Sequence, residues 1–171
     1  DQLSISKAVE AAKNADVAIV VGGWTHGYNY SVWSDNAYDA EDTDKPDMQM
    51  PFGQDELIKA VVAANPKTVV VLMGGGPIDM TQWINQTKAV LQAWFPGMEG
   101  GNAIAKILFG QVNPSGKLPM TFPKKLEEVP AHKLGQYPGD SVNVYYHDDI
   151  YVGYRYYDTY KVEPQFAFGH G

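Results

Sequence analysis

The sequence predicts an α/β protein: an open three-layer sandwich with a mostly parallel sheet, followed by an extended, aromatic-rich C-terminal tail. Two observations support this prediction. Apolar runs too short to be helices alternate along the chain with amphipathic segments of helical period. Several of these runs also end in glycine-rich turns. Strands that alternate with helices in this way form parallel sheets that are covered on both faces.

The first helix and strand are predicted close to the N-terminus. A helix is expected over residues 4–15, because Ile5, Ala8 and Ala12 fall on one stripe. The apolar run over residues 16–22 follows directly and is too short for a helix. It is typical of a strand that is buried on both faces of a sheet.

The same unit recurs twice. A helix over residues 53–64 leads into a strand over residues 68–73, which ends at three consecutive glycines. A third strand is predicted over residues 89–94, with a helix over residues 101–109 after it. These elements place the ends of three strands at one edge of the sheet, where ligands of open α/β proteins bind.

The C-terminal part of the chain differs in composition. Helical signals stop after residue 116, and residues 117–171 are rich in Pro, Gly and Tyr, with short strand patterns over 118–122 and 150–157. We therefore predict a single domain over residues 1–171, in which a core over 1–116 is wrapped by the tail over 117–171.

The connection between the first strand and the second helix, Gly23–Phe52, is about 30 residues long, whereas such connections usually have about six. Long loops of this kind tend to form binding or active sites. The loop is both acidic and aromatic: it contains Trp24, Tyr28, Tyr30, Trp33, Asp35, Tyr38, Asp39, Glu41, Asp42, Asp44 and Asp47. So many aromatic side chains indicate an ordered loop.

Composition excludes several classes of partner. The net charge of -7 argues against nucleic acid and anionic membranes, and no apolar run reaches the roughly 20 residues that span a bilayer. The four histidines lack metal spacing and there is no cysteine, so neither a metal nor a cofactor is expected. The compartment stays open, with a periplasmic or extracellular location favoured over a cytoplasmic one.

A series of short motifs runs in order along nearly the whole chain. The first is the acidic segment Glu41–Pro51, and Gln54 opens the helix that follows it. The later motifs are Asn65–Leu72, Gly76–Met80, Ala93–Gly101, Leu108–Gly110, Asn113–Pro119, Thr121–Pro123, Val152–Asp158 and Phe168–Gly171. Together they resemble the C-terminal α/β sandwich domain of glycoside hydrolase family 3, which includes many β-glucosidases.

The resemblance implies part of a retaining, exo-acting β-glycosidase that hydrolyses terminal non-reducing β-linked sugars. Glu41 matches the family's general acid/base. Such enzymes need a second carboxyl group, a nucleophile about 5–5.5 Å from the first. In relatives it is an Asp of a preceding (β/α)8 barrel, so we expect a fragment, truncated at its N-terminal edge and inactive alone. The barrel and a following fibronectin-type-III-like domain are its expected partners, with a β-linked oligosaccharide or glycoside as substrate.

Two departures from the family pattern lie next to Glu41. Asp42 replaces a glycine, and Lys45 replaces an arginine. Lysine carries its charge on one nitrogen, whereas the guanidinium of arginine can donate two parallel hydrogen bonds to a carboxylate. A bidentate interaction between residue 45 and Asp44 is therefore in doubt.

Each candidate residue also has a simpler interpretation. Glu41 is either the acid/base, its pKa raised by neighbouring aspartates, or a solvated loop carboxylate. Trp24 and Trp33 either stack on a sugar ring or anchor the loop to the core. The loop aspartates, among them Asp35 and Asp47, would suit calcium, but the EF-hand pattern is absent.

Two other functions remain as alternatives. One is a carbohydrate-binding or scaffolding module that uses the same crevice without chemistry. The other is a nucleotide-binding α/β domain, suggested by Gly74–Gly76 at a strand end. These glycines lack both common phosphate-binding spacings, so a tight turn before Pro77 explains them better.

Overall fold

The computed structural model describes residues 2–25, 39, 45 and 47–171. The chain divides into two compact units, Asp1–Val112 and Asn113–Gly171. This division falls close to the boundary that the sequence indicates between core and tail. The wrapping of the second unit on the first stays a prediction.

The first unit contains a parallel three-stranded sheet in the order β1-β2-β3. The strands are β1 (Ala18–Gly23), β2 (Thr68–Met73) and β3 (Ala89–Gln92). β2 lies in the middle, and its residues Val70, Val71 and Leu72 are completely buried. The predicted α/β class and the parallel sheet are thereby confirmed.

Three helices accompany the sheet: α1 (Gln2–Lys13), α2 (Gln54–Ala64) and α3 (Gly100–Leu108). Short 3-10 turns lie at Pro51–Gly53 and Ile84–Gln86. The apolar stripes of α1 and α2 meet above β1 in one cluster, which consists of Ala8, Ala12, Ala18, Val20, Leu57, Val61 and Ala64. None of the helices in the described part of the chain is long and apolar enough to cross a membrane.

The prediction that β1 is buried on both faces is wrong for the described chain. Ala18 and Val20 face the helices, whereas Ile19 and Val21 are 47% and 58% exposed. The apolar run alone could not show this difference, because β1 lies at one edge of the sheet and β2 at its centre.

Asn65 fixes the two helices relative to each other. It lies just after α2, is buried, and donates through Nδ2 to the carbonyl oxygens of Ala12 and Ala15, both at 2.9 Å. Ala12 lies in the last turn of α1 and Ala15 two residues beyond its end, where carbonyl groups have run out of helical partners. Asn65 Oδ1 also accepts from the Lys67 N–H at 2.8 Å, so one side chain joins α1, α2 and the start of β2.

The second unit contains two short helices, α4 (Pro130–Lys133) and α5 (Tyr154–Tyr160), and a 3-10 turn at Leu126–Glu128. The strand predicted over residues 150–157 is therefore wrong, since α5 occupies the second half of this segment. Tyr156 and Tyr157 are both buried, although consecutive strand residues point to opposite faces. Packing of both rings overrides the β-propensity of tyrosine.

Candidate functional site

Three loop segments meet at the carboxyl edge of the sheet. The chain leaves β1 at Trp24, whose backbone N–H donates to Met73 O at 2.9 Å. Beyond β3, the N–H of Ala93 donates to Leu72 O at 2.7 Å, and Gln92 Nε2 lies 3.3 Å from Gly74 O. The structure thus brings together the strand ends that the sequence analysis assigns to one edge.

The two ends of the long loop are joined by hydrogen bonds at this edge. Gln54, the first residue of α2, accepts from the Gly23 N–H and donates to Gly23 O, both at 2.8 Å. Trp24 donates through Nε1 to Gln49 O at 2.9 Å. The loop therefore leaves and returns to regular structure at almost the same point.

A second set of bonds attaches the returning half of the loop to the segment after β2. The N–H of Asp79 donates to Met48 O at 2.9 Å, and Gln49 Nε2 donates to Asp79 Oδ2 at 2.8 Å. Met48 and Met50 are buried. The segment just before α2 is consequently fixed on the sheet by both its backbone and its apolar side chains.

Asp39 and Lys45 form an ion pair within the loop. Lys45 Nζ lies 2.6 Å from Asp39 Oδ1, with side chains that are 30% and 11% exposed respectively. The other carboxylate oxygen, Asp39 Oδ2, accepts the backbone N–H of Gly75 at 2.9 Å. One carboxylate therefore links two points of the loop to the end of β2.

Trp24 lies beneath this ion pair. Its side chain is buried, at 7% exposure, and Lys45 Nζ is 4.4 Å from the centroid of its ring. A Cβ atom built at Gly74 would lie only 2.9 Å from Trp24 Cε3, so the glycine makes room for the indole. These contacts support the anchoring interpretation of Trp24, and its contact with a sugar stays a prediction.

Phe95 extends the cluster beyond β3. A Cβ atom built at Gly75 would lie 3.3 Å from Phe95 Cε2 and 3.2 Å from Asp39 Oδ2. Phe95 itself is 59% exposed. An exposed aromatic side chain beside a charged pair is a surface that could contact a ligand with apolar and polar faces.

The other predicted site residues, Glu41 and Trp33, lie outside the described residues. So do Asp42 and Asp44, which the sequence analysis treats as neighbours that raise the pKa of Glu41. Asp39, the third such neighbour, is paired with Lys45. Its negative charge is therefore largely offset by the lysine.

The bond between Asp39 and Gly75 is the feature of the site that sequence reasoning misses. The two residues are 36 positions apart, and no local pattern connects them. Within residues 2–25, 39, 45 and 47–171, no three His, Asp or Glu side chains lie close enough together to hold a metal ion. Asp35, part of the calcium alternative, lies outside these ranges.

Asp55 is a buried carboxyl group close to the end of the loop. It accepts a hydrogen bond from Trp83 Nε1 at 2.8 Å. Burial raises the pKa of Asp55, and the bond to Trp83 opposes this shift. Asp55 and Trp83 are 5% and 1% exposed, so they brace the start of α2 and do not face solvent.

The fold and the loop contacts define an α/β domain with a candidate site at the carboxyl edge of its parallel strands. Residues 2–171 match the family described as the glycosyl hydrolase family 3 C-terminal domain. The chain belongs to this family, which confirms the resemblance inferred from its motifs.

The most similar proteins include several beta-glucosidases. The chain is 45% identical over 169 residues to a beta-glucosidase of Rhizobium radiobacter, and 43% identical over 166 residues to one of Bacteroides ovatus. The crystal structure of the Kluyveromyces marxianus beta-glucosidase in complex with glucose matches with a TM-score of 0.89 at 36% identity.

These relatives are much longer than the chain. The two sequence matches cover 98% and 96% of the chain but 19% and 21% of the relatives, and the structural match covers 100% of the chain and 19% of the K. marxianus protein. The chain thus corresponds to a minor part of each of these beta-glucosidases.

Proposed function

We propose that this chain supplies the general acid/base of a retaining, exo-acting β-glycosidase of the β-glucosidase type. The observation that carries the proposal is the anchoring of Asp39 and Lys45 at the carboxyl edge of the sheet. Glu41 lies between them in the sequence. Two anchored residues at the edge where open α/β sheets bind ligands, one on each side of position 41, suit an acid that must meet its substrate at close range.

In the first step, the protonated carboxyl of Glu41 donates its proton to the glycosidic oxygen as the bond to the anomeric carbon breaks. A carboxylate nucleophile from a barrel elsewhere in the longer protein bonds to the same carbon. In the second step, the Glu41 carboxylate takes a proton from water, whose oxygen displaces the nucleophile. Configuration is retained because two displacements occur.

Sugar contacts complete the proposal. Of the two candidate substrate-binding residues, we assign the sugar contact to Trp33, since an indole ring offers a flat apolar face to a pyranose. Trp24 is the second candidate, and its burial beneath Lys45 favours an anchoring role. The substrate would be a β-linked oligosaccharide or glycoside that is cleaved at its non-reducing end. The 171-residue chain alone should hydrolyse no glycoside, because the nucleophile lies elsewhere.

The test replaces Glu41 by Ala in the full-length protein that contains this chain. Phenolate is a poor leaving group and needs the proton, whereas 2,4-dinitrophenolate does not. We therefore expect kcat/KM for phenyl β-glucoside to fall by about 10²–10⁴-fold, with a much smaller loss for the dinitrophenyl glycoside. Azide should restore turnover of the dinitrophenyl glycoside and yield the β-glycosyl azide.

Glu10→Ala is the matched control, because Glu10 is an exposed carboxylate on α1. It should leave both substrates unaffected. If Glu41→Ala hydrolyses both glycosides as fast as the unmutated protein, the proposal is wrong. A non-catalytic carbohydrate-binding module would then be the better account.

A further inference from the structure

We propose that Asp39 is a positioning residue, which holds the loop that carries the general acid/base in register with the end of β2. The inference rests on the proposed function of Glu41, but its structural basis is separate. Asp39, Lys45, Gly75 and Trp24 are all described by the structure, and their contacts form one connected set.

Each oxygen of the Asp39 carboxylate accepts a hydrogen bond from a different donor. Oδ1 receives the Lys45 ammonium at 2.6 Å, and Oδ2 receives the Gly75 N–H at 2.9 Å. Lys45 is six residues further along the loop, and Gly75 belongs to a different segment. Because each oxygen has its own donor, the side chain works as a bridge between the loop and the sheet.

The carboxylate at the centre of the bridge is sheltered from solvent, although Gly75 is exposed. The side chain of Asp39 is only 11% exposed, which weakens screening by water and salt. Lys45 is held in turn above the ring of Trp24, whose Nε1 is bonded to Gln49 O. Removing one member of the pair would leave the charge of the other without compensation in a partly buried place.

A lysine at position 45 suits this arrangement. Its ammonium is a compact charge that can bind one oxygen and leave the other for the Gly75 N–H, whereas an arginine fork would compete for both. In the family pattern, the arginine at position 45 would brace Asp44. The structure pairs Lys45 with Asp39 instead.

The consequence for the acid/base follows from chain geometry. Glu41 comes two residues after Asp39, and two residues of extended chain span at most about 7 Å. Fixing Asp39 to Gly75 therefore limits the volume that the backbone of residue 41 can reach. A misplacement of about 1 Å can cost on the order of 10²-fold in rate, so such a limit matters for proton transfer.

The first experiment compares Asp39→Asn, Asp39→Ala and Lys45→Met in the full-length protein. We expect kcat/KM for phenyl β-glucoside to fall by about 10–100-fold, and that for the dinitrophenyl glycoside by less than about threefold. Only the phenyl glycoside needs a correctly placed proton donor, because 2,4-dinitrophenolate leaves without protonation. Asp16→Asn, an exposed aspartate next to β1, is the matched control and should change neither value.

The pH profile separates positioning from general damage to the fold. Asp39→Asn leaves the Lys45 charge uncompensated, which favours the ionised acid/base and should move the alkaline limb of kcat/KM to lower pH. Lys45→Met leaves the Asp39 charge uncompensated and should move the same limb to higher pH. A purely structural role predicts no such opposite shifts.

Hydrogen exchange at the Gly75 amide tests the anchor without relying on catalysis. Asp39→Ala removes the acceptor, so this amide should exchange at least about tenfold faster. In Asp39→Asn the side-chain oxygen can still accept the Gly75 N–H, so the effect should be smaller. If Asp39→Ala does not fold, Asp39→Asn and Lys45→Met still provide the kinetic comparison.

The outcomes for the two proposals are distinguishable. Loss of phenyl glycoside hydrolysis with azide rescue in Glu41→Ala supports the proposed function whatever Asp39 does. If Glu41→Ala behaves in this way but Asp39→Asn and Lys45→Met keep the unmutated rates and pH profile, the positioning role is overturned. An equal loss for both substrates with an unshifted pH profile also overturns it.

Discussion

Gln54 and Gly23 are joined by a pair of hydrogen bonds, in which the side-chain amide of Gln54 binds both the N–H and the carbonyl of Gly23 at 2.8 Å. Gly23 ends β1 with a φ of 138°. A Cβ atom built there would lie 1.8 Å from Met73 O, so only glycine lets the strands approach this closely. The backbone that Gln54 binds is therefore held between α2 and β2.

Replacing Gln54 by Ala should open the base of the loop. The change removes the two bonds to Gly23 and a third, to Pro51 O at 3.1 Å. We expect the free energy of unfolding to fall by about 1–3 kcal/mol and the Gly23 amide to exchange at least about tenfold faster. Hydrogen exchange of peptides over residues 18–25 measures this, with Gln111→Ala, an exposed glutamine, as control. Unchanged exchange would contradict the prediction.

The buried pair of Asp55 and Trp83 should make stability depend on pH. Burial raises the pKa of Asp55 above 3.8, so the unfolded state releases this proton first as pH rises. The free energy of unfolding should therefore fall as pH rises from 3.8 through the folded pKa. In Asp55→Asn, the free energy of unfolding measured by urea titration should lack this part of the decline with pH. Equal slopes for both proteins would show that Asp55 does not contribute.

Asp55→Ala is the companion variant for this pair. It leaves the indole N–H of Trp83 buried without its acceptor, which should make it about 1–3 kcal/mol less stable than Asp55→Asn. Since the carboxyl is also absent in this variant, its free energy of unfolding should lack the same part of the decline with pH as that of Asp55→Asn.

The limits of a strand could be predicted from the sequence where its β-propensity and its burial in the sheet agree. β2 is a run of β-branched and apolar residues bounded by Asn65–Pro66 and three glycines, and its predicted and observed limits coincide at Thr68–Met73. β1 also contains a run of apolar residues, yet Val21 is 58% exposed. The order of strands in the sheet decides burial, and an apolar run carries no information about that order.

The candidate site could be predicted in part. Its location follows from the parallel strand ends, and the position of Trp24 directly after β1 is readable from the sequence. The bond between Asp39 and Gly75 cannot be predicted from the sequence, because it joins residues that only the folded sheet brings together. Helix α5 was missed for a related reason, since burial of both Tyr156 and Tyr157 is a tertiary effect.

Trp24 offers a test of anchoring against sugar contact. Trp24→Phe keeps an apolar ring but removes the N–H that binds Gln49 O. We expect the free energy of unfolding to fall by about 1 kcal/mol, while the inhibition constant of glucose changes by less than about twofold. Trp33→Ala should raise that constant if Trp33 stacks on the sugar. A large rise in Trp24→Phe without loss of stability would assign Trp24 to the sugar instead.

Tyr157 should make the protein sensitive to alkali. Burial, with a contribution from the negative charge of Glu128, raises the pKa of Tyr157 to about 12. The folded state therefore holds this proton longer than the unfolded state, and the free energy of unfolding should fall between pH 10 and about 12. In Tyr157→Phe this part of the decline should be absent. The absorbance difference between the two proteins at phenolate wavelengths should titrate with a midpoint near 12, and a midpoint near 10 would mean that the ring is not buried in solution.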